Sequence, residues 1–281
     1  MERLDDDELR RWLREDAPYG DLTTRTLDLR GRQGSARFLA RGDMRVAAIE
    51  EAARLFELTG CRAQVTIDSR RDAAAGAELL TASGEAPALL LAWKLAQTAV
   101  EAASGVAGEA ARIVASLRTA GFAQPLACTR KNWPGGRALA ARAAWAGGAV
   151  MHRLGLSETV LVFPEHRVFV DDWARGVTAL RRDLPEKRIV VEVGSVDDAL
   201  IAAQAGADVL QLERFEPAQL AALRERLAAA GLAALLAPAG GVTQANAVAF
   251  ARAGADLLVS SAPYFARPAD VKVVIEAVHV G

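Results

Sequence analysis

Cysteine is nearly absent. Cys61 and Cys128 are the two in 281 residues, and they show no CxxC or Cys/His spacing. The three histidines are scattered, so a zinc site is not expected, and the cysteine usage points to a reducing compartment. Neither sign of charge dominates: 34 basic against 35 acidic residues leave a formal net charge of −1. That balance lacks the basic excess of a nucleic-acid binder or a polybasic membrane binder, so any anion site must be local. No uninterrupted apolar run reaches the roughly 18 residues of a membrane span. The opening MERLDDDELRRW is charged, which predicts no signal peptide and a cytoplasmic protein.

What is present is an alternation of short apolar runs with amphipathic segments. Leu9, Trp12 and Leu13 share one face, which predicts a helix over 5–16, with Asp5, Asp6 and Asp7 placed where the helix dipole favours acids and Pro18 and Gly20 ending it. PYGDLTT either caps or positions something or is a plain loop, and spacing alone favours the loop. ARFLARG alternates like a strand, VAAIEEAARLFELTG is helical through Ile49, Ala53 and Phe56, and RAQVTID and AELLTAS follow as strands. These elements make a small, mostly antiparallel α/β unit. From Ala86 to Arg118 the chain becomes alanine-rich helix, with SGVAG at 104–108 allowing either close packing or a break; the domain boundary is placed near it. Lys94, in AWKLAQ, has apolar neighbours on both sides and alone reads as a lysine snorkelling from a helix face.

After Gly121 the chain repeats a strand-then-helix unit: LACT and a helix over 137–146, TVLVF and a helix over 169–182, RIVVEV, DVLQLE, LAALLAP and DLLVS with helices between. Such repetition implies parallel strands joined by right-handed crossovers. QAGADVLQL at 204–212 and RAGADLLVS at 252–260 echo each other, with Gly206 or Gly254 stopping a helix and Asp208 or Asp256 leading into a strand. The expected fold class is α/β, ending in an incomplete (β/α) TIM-like barrel. Chemistry in such barrels gathers at the C-terminal ends of the strands. That rule selects Arg130, Lys131, His152, Arg153, Phe163, Glu192, Glu213, Gly240, Gly241, Ser260 and Ser261. Glu192 interrupts an apolar run, and a carboxylate there needs a partner, either an interior salt bridge or a ligand. With Glu213 it forms an acidic sector opposite the basic one, suited to a substrate with an anionic part and a polyhydroxyl or Mg²⁺-bearing part. AGGV at 239–242 can offer backbone N–H groups to a phosphate or simply make a turn.

The order EDAPYGDLTT, ASGVAG, CTRKNWPG, HRLGL, VVEV and GG resembles the quinolinate phosphoribosyltransferase (nicotinate-nucleotide pyrophosphorylase) family over nearly the whole chain. AWKLAQ and VFPEH resemble its ModD branch, which is associated with molybdate transport. The resemblance implies an N-terminal α/β sandwich over 1–108, completed by a returning strand at 268–281, a barrel over 109–267, and a homodimer with sites between subunits. It also implies that Arg130, Lys131, His152 and Arg153 hold a pyridine dicarboxylate and phosphates. Glu192 and Glu213 would hold the ribose hydroxyls and Mg²⁺ of phosphoribosyl pyrophosphate. This chain departs from the family pattern at several positions. Lys94 stands for an arginine that reaches the partner's site, Trp93 for a glutamate, Phe163 for a lysine and Glu213 for an aspartate, while Ala239 and Ser261 replace a serine and a glycine near the phosphates. Small anionic substrates are the expected partners. A non-catalytic protein that binds another anion in molybdenum metabolism is the alternative that Phe163 favours.

Overall fold

The structure is a computed structural model and describes residues 3–278. Its contacts group into two units: 1–111 with 133–148 and 265–281, and 112–132 with 149–264. Residues 133–148, which hold the helix Arg137–Ala146, were assigned by the sequence to the barrel but fall with the first unit.

In the first unit an antiparallel sheet runs in the order Val271–Val278, Gln33–Ala40, Glu78–Glu85, Arg62–Val65. The period of two in GSARFLA buries Ala36, Phe38 and Ala40 on one face. Phe38 meets Phe56 of the helix Ile49–Leu58 edge to face, with centroids 5.8 Å apart. The helix Asp6–Asp16 starts where Asp5 accepts a hydrogen bond from the Glu8 N–H, and it buries Leu9 completely. Asp21 corrects the loop reading of PYGDLTT. Its carboxylate accepts from the Thr23 and Thr24 N–H groups and so starts a short helix, Leu22–Thr26.

Of the two readings of SGVAG, close packing without a break is what the structure contains, because the helix Ala86–Thr119 is continuous. A Cβ on Gly105 would lie 2.4 Å from the Arg267 carbonyl oxygen and 2.9 Å from Pro268 Cα. Gly105→Ala is therefore expected to cost ~1–3 kcal/mol by overpacking, visible as a lowered Tm; an unchanged Tm would mean that the 265–268 segment yields without strain.

The second unit holds seven strands in two parallel sheets. One has the order Leu235–Ala239, Val209–Glu213, Ile189–Val193, Val160–Val162, and the other Leu258–Ser260, Leu126–Cys128, Val150–Met151. Ala127, Leu161, Val190, Val209, Ala237 and Val259 pack into one buried cluster, with Phe163 against it. Since strand side chains alternate, residues two further along share that inward face, namely Thr129, Phe163, Glu192, Gln211, Ala239 and Ser261. The echo at 204–212 and 252–260 has a common structural cause. Asp208 accepts from the Ile189 N–H (2.8 Å) and pairs with Arg181, while Asp256 accepts from the Leu236 N–H (2.7 Å) and pairs with Arg224. Each aspartate thus pins the start of the preceding strand to the helix that leads into that strand.

The helix expected over 169–182 begins later, at Trp173, where Asp172 accepts from the Arg175 N–H. A separate helical turn, Pro164–Arg167, precedes it. Arg167 anchors that turn by donating to the Glu192 carbonyl, pairing with Asp198 at 3.0 Å and lying over the Trp173 ring.

Candidate active site

Glu192 sits in the middle of the inward face, one residue from the end of its strand, where register places it beside Gln211. The Gln211 amide donates to its carboxylate at 2.5 Å. Of the two partners left open by the sequence, an interior salt bridge or a ligand, no lysine or arginine pairs with it among the described residues, and its protein partner is this neutral amide. Burial pushes the Glu192 carboxyl up, and Glu213 and Glu165 add to the shift, against the Gln211 hydrogen bond and the charge of Lys131. Glu213 ends the next strand against Gly240. A Cβ on Gly240 would lie 2.4 Å from Glu213 Oε1, and its φ of +74° is one that side chains rarely adopt, so the Gly-Gly pair has two independent reasons to be there.

The basic groups approach from the strands Leu126–Cys128 and Val150–Met151. Arg130 and Lys131 are exposed, whereas Arg153 is only 6% exposed. Among the described residues the Arg153 guanidinium has no carboxylate or carbonyl partner, and its neighbour is the Phe163 ring at 5.4 Å. Burial, then the nearby Arg130, lower its proton affinity. His152 is also pushed down, by burial first and then by Arg153, against the pull of Glu158, so it is a neutral group at pH 7. Phe163 stacks on His166, with centroids 5.8 Å apart at 22°, and its own N–H donates to His166 Nδ1.

All these side chains line one cavity of about 1170 Å³, together with Ala239, Gly240, Gly241, Ser260 and Ser261. The volume accommodates a ligand of nucleotide size. Ser260 is buried and its hydroxyl is committed: it donates to the Val242 carbonyl at 2.6 Å and accepts from the Ala262 N–H at 3.1 Å, tying the turn at 239–242 to that at 260–262. It therefore shapes the cavity wall, leaving Ser261 as the accessible hydroxyl. Lys94 is not among the lining residues; it is exposed on its helix, donates to Gln97 and lies over Trp93. Thr129, Glu158, Glu165, His166, Lys187 and Gln211 also line the cavity and were not selected from the sequence. Gln211 was within reach, since it lies two residues before Glu213 on the same strand.

Among the described residues no group of three or more His, Cys, Asp or Glu side chains could hold a metal alone. Two carboxylates facing a cavity do fit Mg²⁺, which keeps waters and takes further ligands from substrate phosphates. Glu192 and Glu213 would be its protein contacts.

This arrangement, a cation cluster facing paired carboxylates at the open ends of parallel strands, belongs to a family. A model described as the quinolinate phosphoribosyl transferase C-terminal domain matches residues 106–274, and one described as the N-terminal domain of that enzyme matches residues 21–104. The chain is a member of the quinolinate phosphoribosyltransferase family. It is 48% identical over 257 residues to the protein of Rhodobacter capsulatus named "Putative pyrophosphorylase ModD", covering 89% of this chain and 97% of that one. A Synechocystis protein named "Probable nicotinate-nucleotide pyrophosphorylase [carboxylating]" is 30% identical over 263 residues, 92% of this chain and 88% of the other. The fold matches that of the nicotinate-nucleotide pyrophosphorylase from Francisella tularensis with a TM-score of 0.87 at 22% identity, over 98% of this chain and all of that one. No helix among the described residues is long and apolar enough to cross a membrane.

Proposed function

We propose that this protein transfers a phosphoribosyl group from Mg²⁺-bound phosphoribosyl pyrophosphate to a pyridine carboxylate or a related acceptor, releasing pyrophosphate. With quinolinate as acceptor the products would be nicotinate mononucleotide, CO₂ and pyrophosphate. The observation that carries the reading is that Glu192 and Glu213 line one cavity with Arg130, Lys131 and Arg153. Mg²⁺, when bound with the substrate, neutralises pyrophosphate charge and so makes it a better leaving group. Glu192 and Glu213 would fix the ribose hydroxyls and face the positive charge that develops at the sugar C1. Arg130 and Lys131, exposed on long side chains, would hold the phosphates. Gly240 lets the Glu213 carboxylate lie against the backbone. No side-chain nucleophile is required.

Glu192 provides the test. Ligand binding needs it ionised, and its raised pKa puts the acid limb of binding above the ordinary glutamate range. In the free protein the sign is opposite. A carboxyl whose pKa is raised by folding adds stability at low pH and loses it as pH rises through the folded value. Glu192→Gln is therefore expected to raise the Tm at pH 7, with the gain vanishing in acid, while calorimetry with phosphoribosyl pyrophosphate and Mg²⁺ loses at least about tenfold in affinity, as for a lost charged partner. Unaltered affinity would remove Glu192 from the site. Phe163 favours a second reading, a non-catalytic anion binder in molybdenum metabolism. Heat on titration with molybdate, and none with phosphoribosyl pyrophosphate, would establish that reading in place of the first.

A further inference from the structure

One side of the cavity is unlike the rest. Around Arg153 the wall is aromatic: Phe163 packs on the apolar floor, faces the guanidinium at 5.4 Å and stacks on His166. Arg153 is a buried cation, and among the described residues no anion or carbonyl meets its guanidinium. Its head group opens on the cavity without such a partner, and its planar fork is matched by one carboxylate of a ligand. The cavity lining offers no second buried cation to another anionic group on the same ligand. The Phe163 N–H is already donated to His166 Nδ1 and is not free for a ligand. The next charged side chain along the chain, Glu165, lines the cavity and repels anions. The other lysines and arginines of the lining, Arg130, Lys131 and Lys187, are exposed on long side chains that suit phosphates.

We propose that the acceptor is a planar heteroaromatic acid bearing a single anionic group, its carboxylate held by Arg153 and its ring lying against Phe163. The inference rests on the phosphoribosyl-transfer reading and names the acceptor class for it. The ring nitrogen's lone pair forms the bond to the sugar C1 as the bond from C1 to pyrophosphate breaks, and pyrophosphate leaves with that electron pair. The acceptor's carboxylate is retained, so no CO₂ is released. Phe163 is then the residue that sets specificity, because its face contributes dispersion to a ring and no charge to a second carboxylate.

The test uses calorimetry on the full chain with Mg²⁺ and phosphoribosyl pyrophosphate present, with pyrophosphate release measured in parallel. The probes are the three pyridine monocarboxylates and the 2,3-dicarboxylate, quinolinate. At least one monocarboxylate is expected to bind about tenfold or more tightly than quinolinate and to release pyrophosphate without CO₂. Phe163→Lys should shift the ratio towards quinolinate by about tenfold or more, as expected for a charge pair in a partly desolvated site. Phe163→Leu, which keeps an apolar side chain and loses the ring face, should weaken the monocarboxylate without improving quinolinate. Quinolinate bound as tightly as the best monocarboxylate by the native protein, or no monocarboxylate bound at all, overturns the proposal. Absence of heat with phosphoribosyl pyrophosphate and Mg²⁺ alone is a separate result that sinks the transferase reading. Retained heat in both Phe163 variants shows that they are folded.

Discussion

Arg153→Ala is expected to weaken binding of an aromatic carboxylate by ~2–5 kcal/mol, the range for truncating one partner of a buried, charge-assisted pair. The size follows from the site: Arg153 is 6% exposed, and the Phe163 ring beside it has no hydrogen bond to donate in its place. Stability should move the other way or stay constant, because the native apo-protein keeps this cation without an anionic partner. Arg153→Met, which fills the space without the charge, separates the two effects. It should bind as poorly as the alanine variant and melt no lower than the native protein. Calorimetry and thermal unfolding on the same preparations make the comparison. A collapse of the Tm in Arg153→Met, with affinity retained by the folded fraction, would assign the arginine to the fold and remove it from the site.

The largest stability effect is expected in the first unit. Glu51 is fully buried on the helix Ile49–Leu58, and its Oε1 lies 2.5 Å from Arg142 Nε while also accepting the Leu4 N–H at 3.0 Å. Removing one member of a buried pair leaves the other charge without compensation, so Arg142→Ala should cost ~3–5 kcal/mol. The pair joins the N-terminal segment, this helix and the helix Arg137–Ala146, all of them in the first unit. Replacing both partners, with Glu51→Gln and Arg142→Met together, should recover much of the loss because no unpaired charge is then buried. Denaturant unfolding of the two single variants and the double gives the coupling directly. Additive losses with no recovery in the double variant would show that the pair acts through packing alone.

Much of the architecture was legible because the second unit is built from a repeated local rule. An apolar run followed by an amphipathic run specifies strand then helix, and Asp208 and Asp256 recur because each begins a strand in the same way. Candidate site residues were legible for a related reason, since polar groups placed directly after apolar runs stand at strand ends. The errors came where local signals tie. At 169–172 the apolar spacing continues into residues that do not join the helix, and the start is decided by Asp172 as a cap. At Asp21 a side chain able to cap was present, but whether it caps depends on where the next backbone amides lie.

By itself the sequence determined most of the strand and helix order, and with it the residues at the strand ends and the family resemblance, because periodicity and motif order are properties of neighbours along the chain. It did not determine the strand Val150–Met151 or the short helices Leu22–Thr26 and Pro164–Arg167. Tertiary structure alone decided which of these groups meet. Register across the parallel sheet put Gln211, rather than a cation, beside Glu192. A buried hydroxyl bond took Ser260 out of the accessible set, and close backbone approach made Gly105 a packing residue within an unbroken helix. Phe163, legible in the sequence as a missing charge, became in space the ring beside a buried arginine. Pairing, burial and the charge left without a partner depend on distances between residues remote in sequence, and those distances are set only when the strands come together.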